Sequence, residues 1–416
     1  MRRLGSLVAF VLLLCGPRAA SAQLLPVTSA PDTTAMSAAT ADSLARLRDV
    51  GDLFRTILKR PLPTEGTSRQ RKGLSMSLLP NGGYNPATGA FIGASVAIGG
   101  WIGEPETTTL SSGSLGLTFS SGGRISLQFK SDFYLPGNHA VLKGDWRYQQ
   151  IGQPTFGLGP AVDDREEFPM EYVLYRIHQS YFRNISRGNA YIGLGFHYDQ
   201  YDQIVDERAD AGEATPFTDY SRGYPKSTTS VGASAEFLLD TRDNPINASR
   251  GQYWNASLRT YMKSLGSDVS HQMLWSDFRA YVHPFSAKRN TLAIWNYLWF
   301  TFGTPPYLDL PAIGWDTYGR SGRGYVQGHI RGPSMVYTEF EYRMRFSRDD
   351  MWGGVAFVNL TGSTASNSEP FGHLDAGFGA GLRVKFTKRT NTNLAVDVGR
   401  GQDGSNRFFF GLQEVF

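Results

Sequence analysis

From Gly73 onward, apolar and polar side chains alternate along the chain. In MVYTEFEYRMRF, Val336, Thr338, Phe340, Tyr342, Met344 and Phe346 form a largely apolar set, and Met335, Tyr337, Glu339, Glu341, Arg343 and Arg345 a largely charged one. HLDAGFGAGLRVKF repeats the pattern, with Leu374, Ala376, Phe378, Ala380, Leu382, Val384 and Phe386 opposite Asp375, a set of glycines, Arg383 and Lys385. A period of two belongs to strands, whose successive side chains leave opposite faces. Before Gly73 the period changes. In DSLARLRDVGDLFRTIL, Leu44, Leu47, Val50, Phe54, Ile57 and Leu58 recur at three and four, which predicts a short amphipathic helix over 43–58 in a polar leader.

The alternating segments run about ten to fourteen residues. Globular strands average about five or six, whereas a tilted bilayer span needs about ten. Sixteen segments are expected, starting near Leu74, Phe91, Thr107, Arg124, His139, Met170, Ala190, Thr228, Gly251, His271, Asn290, Ser334, Trp352, Phe371, Asn393 and Arg407. The even number suits a barrel with both ends in the periplasm. Connections alternate in the same sense: the short turns 103–106, 135–138, 286–289 and 347–350 fall on one side, and the longer excursions 150–169, 201–227, 303–333 and 361–370 on the other. The tight SSGG at 120–123 also falls on the outer side. The predicted fold class is all-β: a 16-stranded antiparallel transmembrane β-barrel.

The first residues sharpen the location. Met1-Arg2-Arg3, the apolar run Leu7 to Leu14, and Ala20-Ser21-Ala22 have the order of a secretory signal peptide. The expected organisation is a signal peptide over 1–22, a flexible periplasmic leader over 23–72 and an outer-membrane β-barrel over 73–416, as in a Gram-negative envelope. Cleavage after Ala22 removes Cys15, the only cysteine, leaving neither a disulfide framework nor a thiolate metal site. Losing Arg2, Arg3 and Arg18 lowers the formal charge from +4 to +1, so nothing argues for nucleic acid. No later apolar run approaches the roughly eighteen residues of a membrane helix. The closing RFFFGLQEVF places Phe408, Phe410 and Phe416 in one two-residue phase, with Phe416 as the expected assembly signal at the end of a last strand from Arg407.

Three stretches resemble the BamA/TamA superfamily of bacterial surface antigen barrels. LLDTRDNPINASRGQYW (238–254) is similar to that family's periplasmic turn signature, with Asp240, Arg242, Asp243, Asn244 and Pro245. GRGYVQGHIRGPSMVYTEFEYR (322–343) is similar to its arginine loop and the following strand, and LLPNGGYNPATGAFIGAS (78–95) to the opening segments of shorter members. The resemblance implies that the loop between the eleventh and twelfth strands folds into the lumen. There Arg323, followed by Gly324 and Tyr325, would meet Glu341 and the position held by Asn359. The family usually has Asp at that second position, so Glu341, or Glu339 beside it, is expected to carry the pairing, through the bidentate geometry a guanidinium allows. Asp240 to Pro245 are expected to brace a turn.

The implied function is insertion, assembly or translocation of proteins at the outer membrane. The partners would be the lipid bilayer, client polypeptides and a periplasmic partner. The mechanism proposed for the family uses a weak seam between first and last strands, and here the first strand reads as short, Leu74 to Leu79. The leader is too short and polar for even one POTRA domain, which implies a barrel-only relative. The alternative is a passive porin-like channel or a structural outer-membrane protein. Seven scattered histidines and the lack of a Gly-x-Ser-x-Gly elbow give no catalytic residues, no metal and no cofactor to expect.

Overall fold

The computed structural model describes residues 48–58, 72–85, 89–160, 166–186, 189–284, 289–388, 390–412 and 414–416. The expected signal peptide 1–22, Leu44 and Leu47 of the expected helix, most of the expected leader and residues 286–288 of one short turn lie outside the described residues.

A helix, α1 (Val50–Ile57), precedes β1 (Gly73–Asn85), β2 (Gly89–Trp101), β3 (Ser111–Ser120), β4 (Ile125–Tyr134), β5 (Ala140–Gly152), β6 (Met170–Asn184), β7 (Ala190–Asp206) and β8 (Thr228–Asp240). Then follow β9 (Gly251–Tyr261), β10 (His271–Val282), β11 (Thr291–Phe302), β12 (Ser334–Arg345), β13 (Trp352–Ser363), β14 (Asp375–Thr387), β15 (Thr392–Gly401) and β16 (Asn406–Leu412). They form one 16-stranded sheet in sequence order, and each strand is antiparallel to its neighbours. The alternation decides the two faces. On β12, Met335, Tyr337, Glu339, Glu341 and Arg343 are buried, while Phe340 is exposed. Leu194, Leu382, Phe408 and Phe410 are likewise exposed, as on a lipid-facing wall. Arg345, in the same alternate set as Glu339 and Glu341, is half exposed at the strand end and pairs with Asp350 across the turn at 2.7 Å.

Two expectations about the seam are corrected. β1 is not short: it has 13 residues, and its pairing to β2 continues from Leu79↔Ser95 through Pro80↔Ala94 to Asn85↔Gly89. Alternation fails across Pro80-Asn81-Gly82-Gly83, but a proline without an N–H is tolerated on an edge strand, where no second neighbour needs it. The short strand is β16, with 7 residues, and it ends at Leu412 rather than Phe416. Among the described residues no pairing joins β16 to β1, so the sheet is not closed.

The lumen is filled. The connection 303–333 between β11 and β12 folds inward and packs Tyr307, Leu308, Leu310, Ile313, Trp315 and Ile330 against the inner side chains Trp275, Trp295, Tyr297, Trp299, Met335 and Tyr337. β11 reads TLAIWNYLWFTF, apolar on both faces, because one face meets lipid and the other this loop.

Candidate functional site: the arginine lock inside the barrel

Arg323 sits in the inward loop and is fully buried. Its Nη2 donates to Glu339 and, at 2.5 Å, to Glu341 Oε2; Nη1 donates to Asp397 Oδ2 at 2.9 Å. The guanidinium lies 3.6 Å from the centroid of the Phe357 ring. Glu339 and Glu341 are two apart on β12 and so share the inner face, Phe357 comes from β13 and Asp397 from β15. The planar fork thus spans three strands, which a point-like ammonium could not do with the same bonds.

Asn359 is not a ligand of the guanidinium. Its Nδ2 donates to the Arg323 backbone carbonyl at 2.9 Å, which fixes the loop backbone. The second-strand acid expected there comes instead from Asp397, two strands further on. Sequence reasoning missed Asp397, although NLAVDVG alternates and puts it on the inner face. Glycine marks the neighbourhood: a Cβ at Gly381, opposite Asp397 in the ladder, would fall 1.8 Å from Asp397 Oδ1. A Cβ at Gly399 would fall 2.8 Å from the Gly324 nitrogen. The glycine-rich inner face of β14 and β15 is where the loop backbone and the carboxylate approach the wall. Gly322 and Gly324 themselves have φ of 76° and 117°, the left-handed side that lets the chain turn around Arg323. Tyr325 donates its hydroxyl to the Ala376 carbonyl at 2.6 Å, and Ser405 donates to the Gly324 carbonyl at 2.6 Å.

The ion network continues toward the short-turn end. Glu341 Oε1 accepts from Arg343 Nε at 2.7 Å, and Arg383 pairs with Asp397 and, at 2.7 Å, with Glu414. Here the chain end is found. Beyond β16 the tail turns into the lumen, where the Phe416 carbonyl accepts from Arg343 Nη2 at 2.7 Å and its ring lies 5.2 Å from that of Trp295. Phe416 is therefore out of phase with the outward Phe408 and Phe410. Glu414 also accepts from Asn393 Nδ2 at 2.6 Å, so the tail is drawn inward by buried cations and amides.

The 240–245 motif forms the turn between β8 and β9. Arg242 donates to both oxygens of the Asp240 carboxylate at 2.8 and 2.7 Å. Asp243 accepts from the Ser249 amide at 2.9 Å, and Asn244 Oδ1 from the Ile246 and Asn247 amides at 2.8 and 3.0 Å. Arg242 Nη1 donates to the Pro245 carbonyl at 3.2 Å. These bonds hold the turn, as Asx-type residues do. The turn also reaches to the connection between β14 and β15, with Asn244 Nδ2 donating to the Thr390 carbonyl at 3.2 Å, and its Ala248 carbonyl accepts from Arg343 at 3.1 Å. Loop, wall, tail and turn therefore share one buried set of arginines and carboxylates. Small cavities remain along the lumen, one of them lined by Arg176, His178, Asp199, Tyr261, Trp275 and Asp309.

No family model and no curated protein matches the chain. Among solved structures it is similar to BamA from Haemophilus ducreyi lacking POTRA domains 1–3, at 13% identity over 90% of this chain and 80% of that one, with a TM-score of 0.50. It is also similar to CdiB from Acinetobacter baumannii, at 13% identity over 82% of this chain and 59% of that one (TM-score 0.52), and to CdiB from Escherichia coli, at 10% over 85% and 63% (TM-score 0.52). The chain spans less than two thirds of either CdiB chain. At these identities the likeness is one of fold: a BamA-type barrel, the architecture of an integral outer-membrane protein.

Proposed function

We propose that the barrel inserts or translocates polypeptides at the outer membrane through the seam between β1 and β16. The observation that carries this reading is the mismatch at the seam: a 13-residue β1 faces a 7-residue β16, and no pairing joins them among the described residues. An unpaired strand edge presents N–H and C=O groups that template an incoming strand by β-augmentation. Tucking residues 414–416 into the lumen keeps that edge short, and the buried ion network holds them there. The resemblance stated for the sequence and the fold of BamA and CdiB point the same way. Clients would be other outer-membrane polypeptides, delivered by a periplasmic partner.

The test is a seam lock. A cysteine in β1 (73–78) and one in β16 (407–410), paired by scanning in a Cys15→Ser background, are oxidised in reconstituted vesicles. The vesicles are then offered a urea-unfolded client barrel. The reduced protein is expected to accelerate client folding several-fold over empty vesicles, and the oxidised protein to lose that gain. Equal acceleration in both states would exclude the seam as the route. The porin-like alternative predicts large steady conductance in planar bilayers, which the filled lumen opposes.

A further inference from the structure

Helix α1 faces the wrong way for an ordinary surface helix. Such a helix buries its apolar stripe against the protein and shows its polar side to water. Here the buried residue is Asp52, which accepts from Lys388 Nζ at 2.8 Å. Asp49, the N-cap, accepts from the Asp52 amide at 3.0 Å and from the Lys388 amide at 3.2 Å, and the Arg48 amide donates to the Asp349 carbonyl at 3.1 Å. Lys388 lies in the turn after β14 and Asp349 in the turn after β12. The polar side of α1 is thus bound to two short turns at one end of the barrel, while Leu53, Phe54, Ile57 and Leu58 are 45%, 59%, 64% and 62% exposed. Spaced at i, i+1, i+4 and i+5, these four share one face of the helix.

What covers that face is indicated by its surroundings. The turn holding Arg48 is flanked by Phe346 and Trp352, both exposed, at the ends of β12 and β13. Aromatics at the short-turn end of a barrel's outer wall mark the periplasmic headgroup level. The apolar face of α1 is therefore exposed at the same end of the barrel as those aromatics. Arg55 lies away from that face, its Nη1 4.0 Å from the buried Asp52 carboxylate. We propose that α1 is an interfacial foot: it lies in the periplasmic leaflet, with Leu53, Phe54, Ile57 and Leu58 toward the acyl chains, and the Asp52–Lys388 pair clamps it to the barrel. The bound surface is phospholipid. This needs only the barrel's place in a bilayer and is independent of any insertion activity.

The experiment uses the full chain with Cys15→Ser and a single nitrobenzoxadiazole label at Ile57→Cys or at Arg55→Cys. Each is reconstituted into phosphatidylcholine–phosphatidylglycerol vesicles with or without lipid spin-labelled near the headgroup, and folding is verified by heat modifiability. The Ile57 probe is expected to be blue-shifted and quenched roughly threefold or more above the Arg55 probe, as an apolar face buried in the interface requires. Asp52→Asn with Lys388→Gln should reduce that contrast while the barrel stays folded. Equal quenching at both positions overturns the proposal. So does an Ile57 probe that is shielded only when periplasmic extract is added, since that assigns the face to a protein groove.

Discussion

The side chain of Asn359 donates to the backbone carbonyl of Arg323 at 2.9 Å and makes no bond to its guanidinium. An amide is therefore required at 359, where the BamA/TamA pattern has a carboxylate. Asn359→Asp would turn a donor into an acceptor facing a carbonyl, beside Glu339, its ladder partner. Despite matching the family pattern, this change is expected to destabilise the barrel by about 1–3 kcal/mol, the penalty of leaving a buried acceptor unsatisfied. Urea unfolding followed by heat modifiability measures it, and an unchanged midpoint would contradict the assigned geometry.

Removing the cation is expected to cost more. Arg323→Ala leaves Glu339, Glu341 and Asp397 with one fewer buried partner, and a loss of about 3–5 kcal/mol is expected for breaking such a buried network. Arg323→Glu should lower the folded, heat-modifiable fraction further, and adding Glu341→Arg should recover part of it. Parental folding in the single charge reversal would show that Arg323 does not hold the loop.

Close backbone approach makes a separate prediction. Gly399→Ala places a methyl 2.8 Å from the Gly324 nitrogen and 3.1 Å from the Arg323 carbonyl carbon, backbone atoms that cannot rotate away. The loop must shift, at a cost of about 1–3 kcal/mol by the usual scale of overpacking. Trypsin should then cut at Arg320 or Arg323 in the folded variant and leave these bonds intact in the parent.

The loop also carries a pH dependence. Burial, and then the negative charge of Asp199, push the Asp309 carboxyl up to about 7, while Ser230 donates to it at 2.6 Å. An acid whose folded pKa is raised binds more protons folded than unfolded between its ordinary value and about 7, so stability falls as pH rises through that window and then levels off. The thermal midpoint should be higher at pH 5 than at pH 8, with a difference reduced in Asp309→Asn. A variant with the parent's full pH slope would remove Asp309 as the cause.

The sequence by itself determined sixteen strands, most of their starts within a few residues, and which side chains share a face. Strand period and length are local properties, so Glu339 and Glu341 were legible as neighbours on one inner wall. Which distant residues meet inside the barrel was not, because that depends on all the strands at once. Only the tertiary structure brings Asp397 on β15 to the loop after β11, carries the 240–245 turn across to Thr390, and draws Phe416 inward. The last case is a competition that alternation cannot express: an outward Phe416 would continue the apolar phase of Phe408 and Phe410, but buried Arg343 and Arg383 need acceptors, and the chain's last residues supply them. Asp52 of α1 obeys the same physics at the rim, where its buried carboxylate pairs with the partly exposed Lys388 and turns an amphipathic helix apolar side out.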